Sequence, residues 1–137
     1  MQSVRQLFDD IESGDIDLEP DYQRSVVWPR RKQSAVIQSL LSHYYVPPVL
    51  MCVKQQPDGS STYTCIDGKQ RLSSIKLFMK NEIPVYDQNN SAFYYKHKKL
   101  RSLPDGTARR FTKEMVPMVL YENLTDDQVS LNDDRGT

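Results

Sequence analysis

Apolar residues recur at helical spacing in three stretches of the chain. Val4, Leu7, Phe8 and Ile11 stand at i, i+3, i+4 and i+7 behind Ser3, the spacing that gives a helix one buried face. Ser3 and Gln6 form the ends of a capping box, so a helix is predicted over residues 3–13, with Gly14 ending it. A second stripe of Val36, Ile37, Leu40, Leu41 and Tyr44 follows Pro29, a residue suited to a first helical turn. It predicts a helix over 29–44 that stops before Pro47. Leu72, Ile75, Phe78 and Met79 set the third period, through Asn81.

Between these stretches the pattern changes. Residues 16–18 alternate apolar with acidic and are halted by Pro20, which predicts a short extended piece leading into a loop of Asp21, Tyr22, Gln23 and Arg24. Residues 49–53 are continuously apolar and residues 61–66 are rich in β-formers. With Pro57-Asp58-Gly59 as the turn, they predict a β-hairpin. Residues 83–86 and 116–121 read as two further strands, joined by a connection with a second turn at Pro104-Asp105-Gly106. Thr125, Asp126, Asp127 and Gln128 read as a helix start that only Val129 and Leu131 follow. The expectation is one α+β domain over 1–128, cut short before its last helical layer, and a polar tail over 129–137.

A chain of 137 residues, 38% hydrophobic, fits a single core. Eighteen basic residues balance 18 acidic ones, which argues against a protein coating nucleic acid by net charge alone. The charge is unevenly spread, however. Asp9, Asp10, Glu12, Asp15, Asp17, Glu19 and Asp21 crowd the start, whereas 22–57 carry Arg24, Arg30, Arg31, Lys32 and Lys54 with no acid. A second basic stretch runs from Lys96 to Lys113, interleaved or flanked by Tyr94, Tyr95 and Phe111. Lys98, Lys99 and Arg110 are its candidate nucleic-acid contacts, with the aromatics as candidate base-stacking partners; a solvated face is the alternative reading. Cys52 and Cys65 lack metal or redox spacing and are expected as buried thiols. His43 and His97 have no partner histidine at metal-ligand spacing and are expected to face solvent. No run of apolar residues suits a signal peptide or a membrane span, so an intracellular soluble protein without a membrane partner is expected.

The densest chemistry lies at residues 65–72, Cys-Ile-Asp-Gly-Lys-Gln-Arg-Leu. The pattern predicts strand, tight turn and helix, and the first N–H groups of a helix lack internal acceptors and attract anions. Gly68 would let the backbone approach a phosphate, Lys69 and Arg71 would supply cationic donors, and Gln70 would donate from its amide or orient a water. Asp67 can serve a metal such as magnesium, a ribose hydroxyl or an attacking water; these roles stay open. A plain helix cap at Asp67, with Lys69 and Arg71 facing solvent, is the competing account.

A second cluster, Leu18, Pro20, Tyr22, Gln23, Arg24 and Trp28, precedes this motif. Together, Leu-x-Pro-x-Tyr-Gln-Arg-x-x-Val-Trp over 18–28 and Ile-Asp-Gly-x-Gln-Arg-Leu over 66–72 resemble the N-terminal domain of GmrSD-type restriction enzymes, distant relatives of ParB and sulfiredoxin. Lys69 stands where many members have glutamine, and Ser73-Ser74 replaces a frequent Thr-Thr. The resemblance covers about residues 3–128. It implies a ParB/sulfiredoxin-like mixed sheet with flanking helices. It also implies that Asp67, Gly68, Gln70 and Arg71 bind a nucleoside triphosphate with magnesium, with Asp67, Gln70 and Arg71 as the catalytic residues if the nucleotide is hydrolysed. Arg24 would join from the facing loop and Gln23 could join it or pack, while Tyr22 and Trp28 read as residues that pack that loop, with base stacking as the alternative.

Family nucleases carry a separate HNH-type module, so cleavage by this chain alone is not expected, and a separate nuclease partner acting on DNA or RNA is implied. Sulfiredoxin-like redox chemistry needs a cysteine inside the motif, and Asp67 to Arg71 contains none. A nucleic-acid-binding module without catalysis and an inactive remnant are the alternative readings.

Overall fold

The first helix starts where a side chain can accept its free N–H groups. The structure, a computed structural model, describes residues 1–18 and 28–122. Ser3 ends strand β1 (Gln2–Ser3) and its Oγ accepts the Gln6 N–H at 3.1 Å, capping helix α1 (Val4–Ser13). The reciprocal half of the capping box is replaced, since Gln6 Nε2 donates to Asp10 Oδ1 at 2.8 Å. Gly14 closes the helix at φ 88°. Ser3→Ala is expected to cost about 1 kcal/mol, read as a lower urea midpoint with an unchanged slope.

Strand β2 (Ile16–Asp17) follows, and helix α2 (Arg30–Leu41) begins after Pro29. This helix ends three residues earlier than its apolar stripe suggests. His43 takes φ 59°, with His43 N–H donating to Leu40 O and Tyr44 N–H to Ser39 O. Such a left-handed residue turns the chain off the helix axis, so Tyr44 leaves the buried face and is 70% exposed.

Strands β3 (Val49–Gln55) and β4 (Ser61–Asp67) form the expected hairpin, with a register shift between Leu50 and Met51. In its turn Asp58 accepts from the Ser60 hydroxyl at 2.6 Å and from the Ser60 N–H at 2.9 Å, which together hold the Asp58 carboxyl below its ordinary value. Helix α3 (Lys69–Met79) comes next, and Asn81 just past its end is again left-handed, at φ 61°.

The remainder departs more from expectation. Only Val85 and Tyr86 of the 83–86 stretch are strand, as β5 (Val85–Tyr86), paired antiparallel with β6 (Ala92–Phe93). Pro104, Asp105 and Gly106 do not make a turn between strands; they open helix α4 (Asp105–Thr112). Asp105 in its first turn and Arg109 and Arg110 in its last complement the helix dipole, and Ala108 and Phe111 give it a buried face. The 116–121 strand is split at Pro117 into β7 (Met115–Val116), paired with β1, and β8 (Met118–Glu122), paired with β3.

The central sheet runs in the order β2-β4-β3-β8 and is mixed: β2 lies parallel to β4, β3 antiparallel to β4, and β8 parallel to β3. With four helices among the described residues, the class is α+β, as expected. Val49, Met51 and Cys65 from the sheet join Leu7, Ile37, Leu72, Ile75 and Phe78 from the helices in one core. Cys65 is buried, but Cys52 is only half-buried, because side chains alternate along β3 and Met51 takes the inward place.

Phe78 meets Phe111 edge to face at 5.1 Å and Tyr95 at 6.0 Å, joining α3, α4 and the chain between them. Tyr95 and Phe111 are therefore core residues and are not free to stack on bases. No helix among the described residues is long and apolar enough to cross a membrane. The helix start expected at Thr125 and the tail over 129–137 lie outside the described residues.

Candidate functional site

Strand β4 delivers Asp67, half-buried and opposite Leu50 in the ladder, to the turn before α3. Gly68 is the N-cap of α3 at φ 101°, ψ 13°. A Cβ there would lie 3.0 Å from Arg71 Nη2 and 3.1 Å from Val49 Cγ2, with the Val49 Cα at 3.3 Å. The missing side chain is thus required by the close passage of β3 and by Arg71, besides any ligand.

The next three residues diverge. Lys69 is half-buried; Gln70 and Arg71 are only 7% and 5% exposed. Gln70 Oε1 accepts the Trp28 N–H at 3.1 Å, tying the chain just before α2 to the first turn of α3. Trp28 is half-buried beneath Lys32, whose Nζ lies 4.2 Å from its ring centroid. Arg71 turns inward, and its Nη2 donates to Pro48 O at 2.9 Å. Its Nε is buried and has no hydrogen-bond partner among the described residues. The account in which Lys69 and Arg71 both face solvent fails for Arg71.

Two clefts border these residues. A larger one, about 710 Å³, lies against α1, β2, α2 and α3. Lys69, Gln70, Ser73 and Lys76 stand on its α3 wall with Lys80 just past the helix end, and Asp17 and the buried Gln33 are among the residues of β2 and α2. A smaller one, about 250 Å³, has Trp28, Lys32, Tyr45, Pro47 and Arg71 in its walls. Lys69 and Gln70 therefore address the first cleft and Arg71 the second. Lys69, Ser73, Lys76 and Lys80 fall at i, i+4, i+7 and i+11, one face of a helix. That polar period was readable in the sequence beside the apolar one. Asp17 and Gln33 carry no such signal, being placed only by the packing of β2 and α2.

Gln23 and Arg24, with Tyr22, lie outside the described residues. Lys98, Lys99 and Arg110 are exposed and stand apart from the turn before α3, in the 94–102 chain and on α4. His43 is exposed, as expected, with Nδ1 3.1 Å from Glu114 Oε2. His97 is not simply solvent-facing: its Nδ1 accepts the N–H groups of Lys99 and Leu100, each at 3.0 Å, and so shapes its own loop. Among the described residues no three His, Cys, Asp or Glu side chains are grouped so as to hold a metal ion.

A protein-family model described as the GmrSD restriction endonuclease, N-terminal domain, matches residues 4–134. No curated protein and no solved structure matches the chain.

Proposed function

Since this chain belongs to the family of GmrSD restriction endonuclease N-terminal domains, we propose that it binds a nucleoside triphosphate in the cleft along α3. The observation that carries the reading is the α3 wall itself. Lys69, Lys76 and Lys80 line a cleft of about 710 Å³ that starts at the N-terminus of a helix. That volume falls within the range of small-ligand sites, roughly 300 to 1,000 Å³. The dipole and N–H groups of the first turn favour an anion, and Lys69 and Lys76 extend that preference along the helix, whereas Lys80 just past its end pairs with Glu12 at 3.6 Å and Glu82 adds an acid to the wall.

Magnesium fits this donor set, since it takes one or two carboxylates and completes its shell with phosphate oxygens. Asp17 is the carboxylate on the cleft wall and Asp67, at the strand end outside that wall, is the one the family motif offers; either would hold the ion, which would neutralise developing phosphate charge. Gln70 has its oxygen committed to Trp28, so its amide N–H groups are the part that can face a phosphate. A water-orienting role through that oxygen requires the Trp28 contact to open, which makes hydrolysis a step beyond binding. Gln23 and Arg24, the kinship with ParB and sulfiredoxin, and a separate nuclease module acting on DNA or RNA belong to the same proposal and rest on the family resemblance.

The test is a titration of the chain with a nucleoside triphosphate and magnesium, comparing wild type with Lys69→Ala and Arg71→Ala. A charge-assisted hydrogen bond contributes roughly 1.5–3 kcal/mol, so losing Lys69 is expected to weaken binding about tenfold or more. Arg71 lines the smaller cleft and bonds Pro48, so Arg71→Ala is expected to weaken binding only as far as it loosens the turn before α3, and its melting curve must accompany the titration. Lys69 is only half-buried, so its variant keeps the fold and reads the site alone. Absence of saturable binding by folded wild-type protein sinks the proposal.

A further inference from the structure

A second basic recess lies beyond the C-terminal end of α3, away from the turn that begins it. Asn81, just past that end, holds the backbone of Lys96 from both sides, accepting its N–H at 2.8 Å and donating to its C=O at 3.0 Å. Lys96 is thereby set beside Arg5 of α1 and Arg109 of α4 around a notch of about 410 Å³. Tyr95, 8% exposed, lines it, with Lys96 Nζ 5.6 Å from its ring centroid. Asp105 is the acid on the wall, and Asp9 meets Arg5 at 3.6 Å in an exposed pair.

Of the two cations carried by helices, one is accounted for by its helix and one is not. Arg109 suits the end of α4, where the helix dipole favours positive charge. Arg5 sits in the first turn of α1, where the dipole opposes it. Asp105 and Asp9 offset part of this charge, and three cations against two acids leave the notch with a positive excess that an anion would meet. Tyr95 and Phe111 are occupied in the core, so neither gives the notch an aromatic stacking platform.

We propose that Arg5, Lys96 and Arg109 form a contact site for the phosphodiester backbone of a nucleic acid. A free phosphate ion gains little from exposed cations in water, whereas a polyanion gains by releasing condensed counterions at every phosphate neutralised. Lys98, Lys99, Arg101 and Arg110 add positive charge on the same stretch of chain. The site reads charge and spacing, so its binding is insensitive to base sequence and strongly sensitive to salt.

The test is fluorescence anisotropy of a short labelled DNA duplex with the full chain from about 50 to 200 mM salt. The notch variant is Arg5→Gln/Lys96→Gln/Arg109→Gln, and the control Lys98→Gln/Lys99→Gln/Arg110→Gln removes the same charge nearby. All six positions are exposed, and each single variant repeats the measurement should a triple variant melt early. The notch variant is expected to bind about tenfold or more weakly, with the slope of log K against log salt reduced by about 3, roughly one per phosphate contact. The control is expected to lose less than half as much. Nucleoside-triphosphate binding is expected to be unchanged in the notch variant, so the two proposals fail separately. Equal losses in notch and control variants overturn the site, as does an absence of salt-dependent binding. Displacement of the duplex by inorganic phosphate at constant ionic strength assigns the notch to a free anion and overturns the backbone reading.

Discussion

Replacing Gly68 with alanine is expected to lower the unfolding free energy by about 2–5 kcal/mol, among the larger effects one methyl group can have. Two causes add. Any L-residue at φ 101° meets backbone strain, costing about 1–2 kcal/mol. The new Cβ also meets Val49 at 3.1 Å and Arg71 Nη2 at 3.0 Å, and such overpacking costs about 1–3 kcal/mol. Val49 belongs to β3, and Arg71 is buried and bonded to Pro48, so neither yields freely. Gly59 separates the causes: it has φ 90° with nothing within 4 Å of a built Cβ, so Gly59→Ala reports the backbone cost alone. Urea unfolding of the two variants side by side is the measurement. Equal losses would leave no role for the contact with β3.

The second large effect is expected at Phe111. Its ring is fully buried, edge to face on Phe78 and 6.4 Å from Tyr95. Truncating a buried phenylalanine leaves a cavity and costs about 3–5 kcal/mol. Domains have roughly 5–15 kcal/mol to lose, so Phe111→Ala is expected to leave the chain close to unfolding at physiological temperature. Calorimetry would show this as a lower melting temperature. A variant that melted like wild type would mean that α4 is not seated on α3 as the ring geometry requires. Since Arg109 lies in the same helix, this variant should also lose duplex affinity when α4 loosens, whereas Ser3→Ala should not.

The elements that the sequence discloses are those whose cause is local. Ser3, Gln6 and Gly14 mark the ends of α1 within a few residues of the bonds they make. Pro57-Asp58-Gly59 marks its hairpin in the same way, and Gly68 marks the passage from β4 into α3. Where the reading failed, a distant partner or a change of period was responsible. The Pro104-Asp105-Gly106 triplet is turn chemistry taken alone, and becomes a helix start because Ala108 and Phe111 find the core. Tyr44 continues an apolar stripe on paper, yet His43 turns the chain before it can be used.

The candidate site divides along the same line. Its residue types and spacing, Asp67 through Arg71 with the cluster at 18–28, were enough to place the chain in its family, because such a motif is a property of neighbouring residues. The directions of those side chains were decided elsewhere. Gln70 is claimed by the backbone of Trp28, 42 residues earlier, and Arg71 by the carbonyl of Pro48, 23 residues earlier. Arg5, Lys96 and Arg109 come together only because α1 and α4 pack on one another and Asn81 fixes the loop between them. The sequence by itself determined the local frame: caps, hairpin, helix periods and the phosphate-type motif, each set by torsional preference and hydrogen bonds within a few residues. The tertiary structure decided which face of α3 lines which cleft and which basic residues act together. Those outcomes depend on which apolar faces are buried against each other, a balance struck over the whole core.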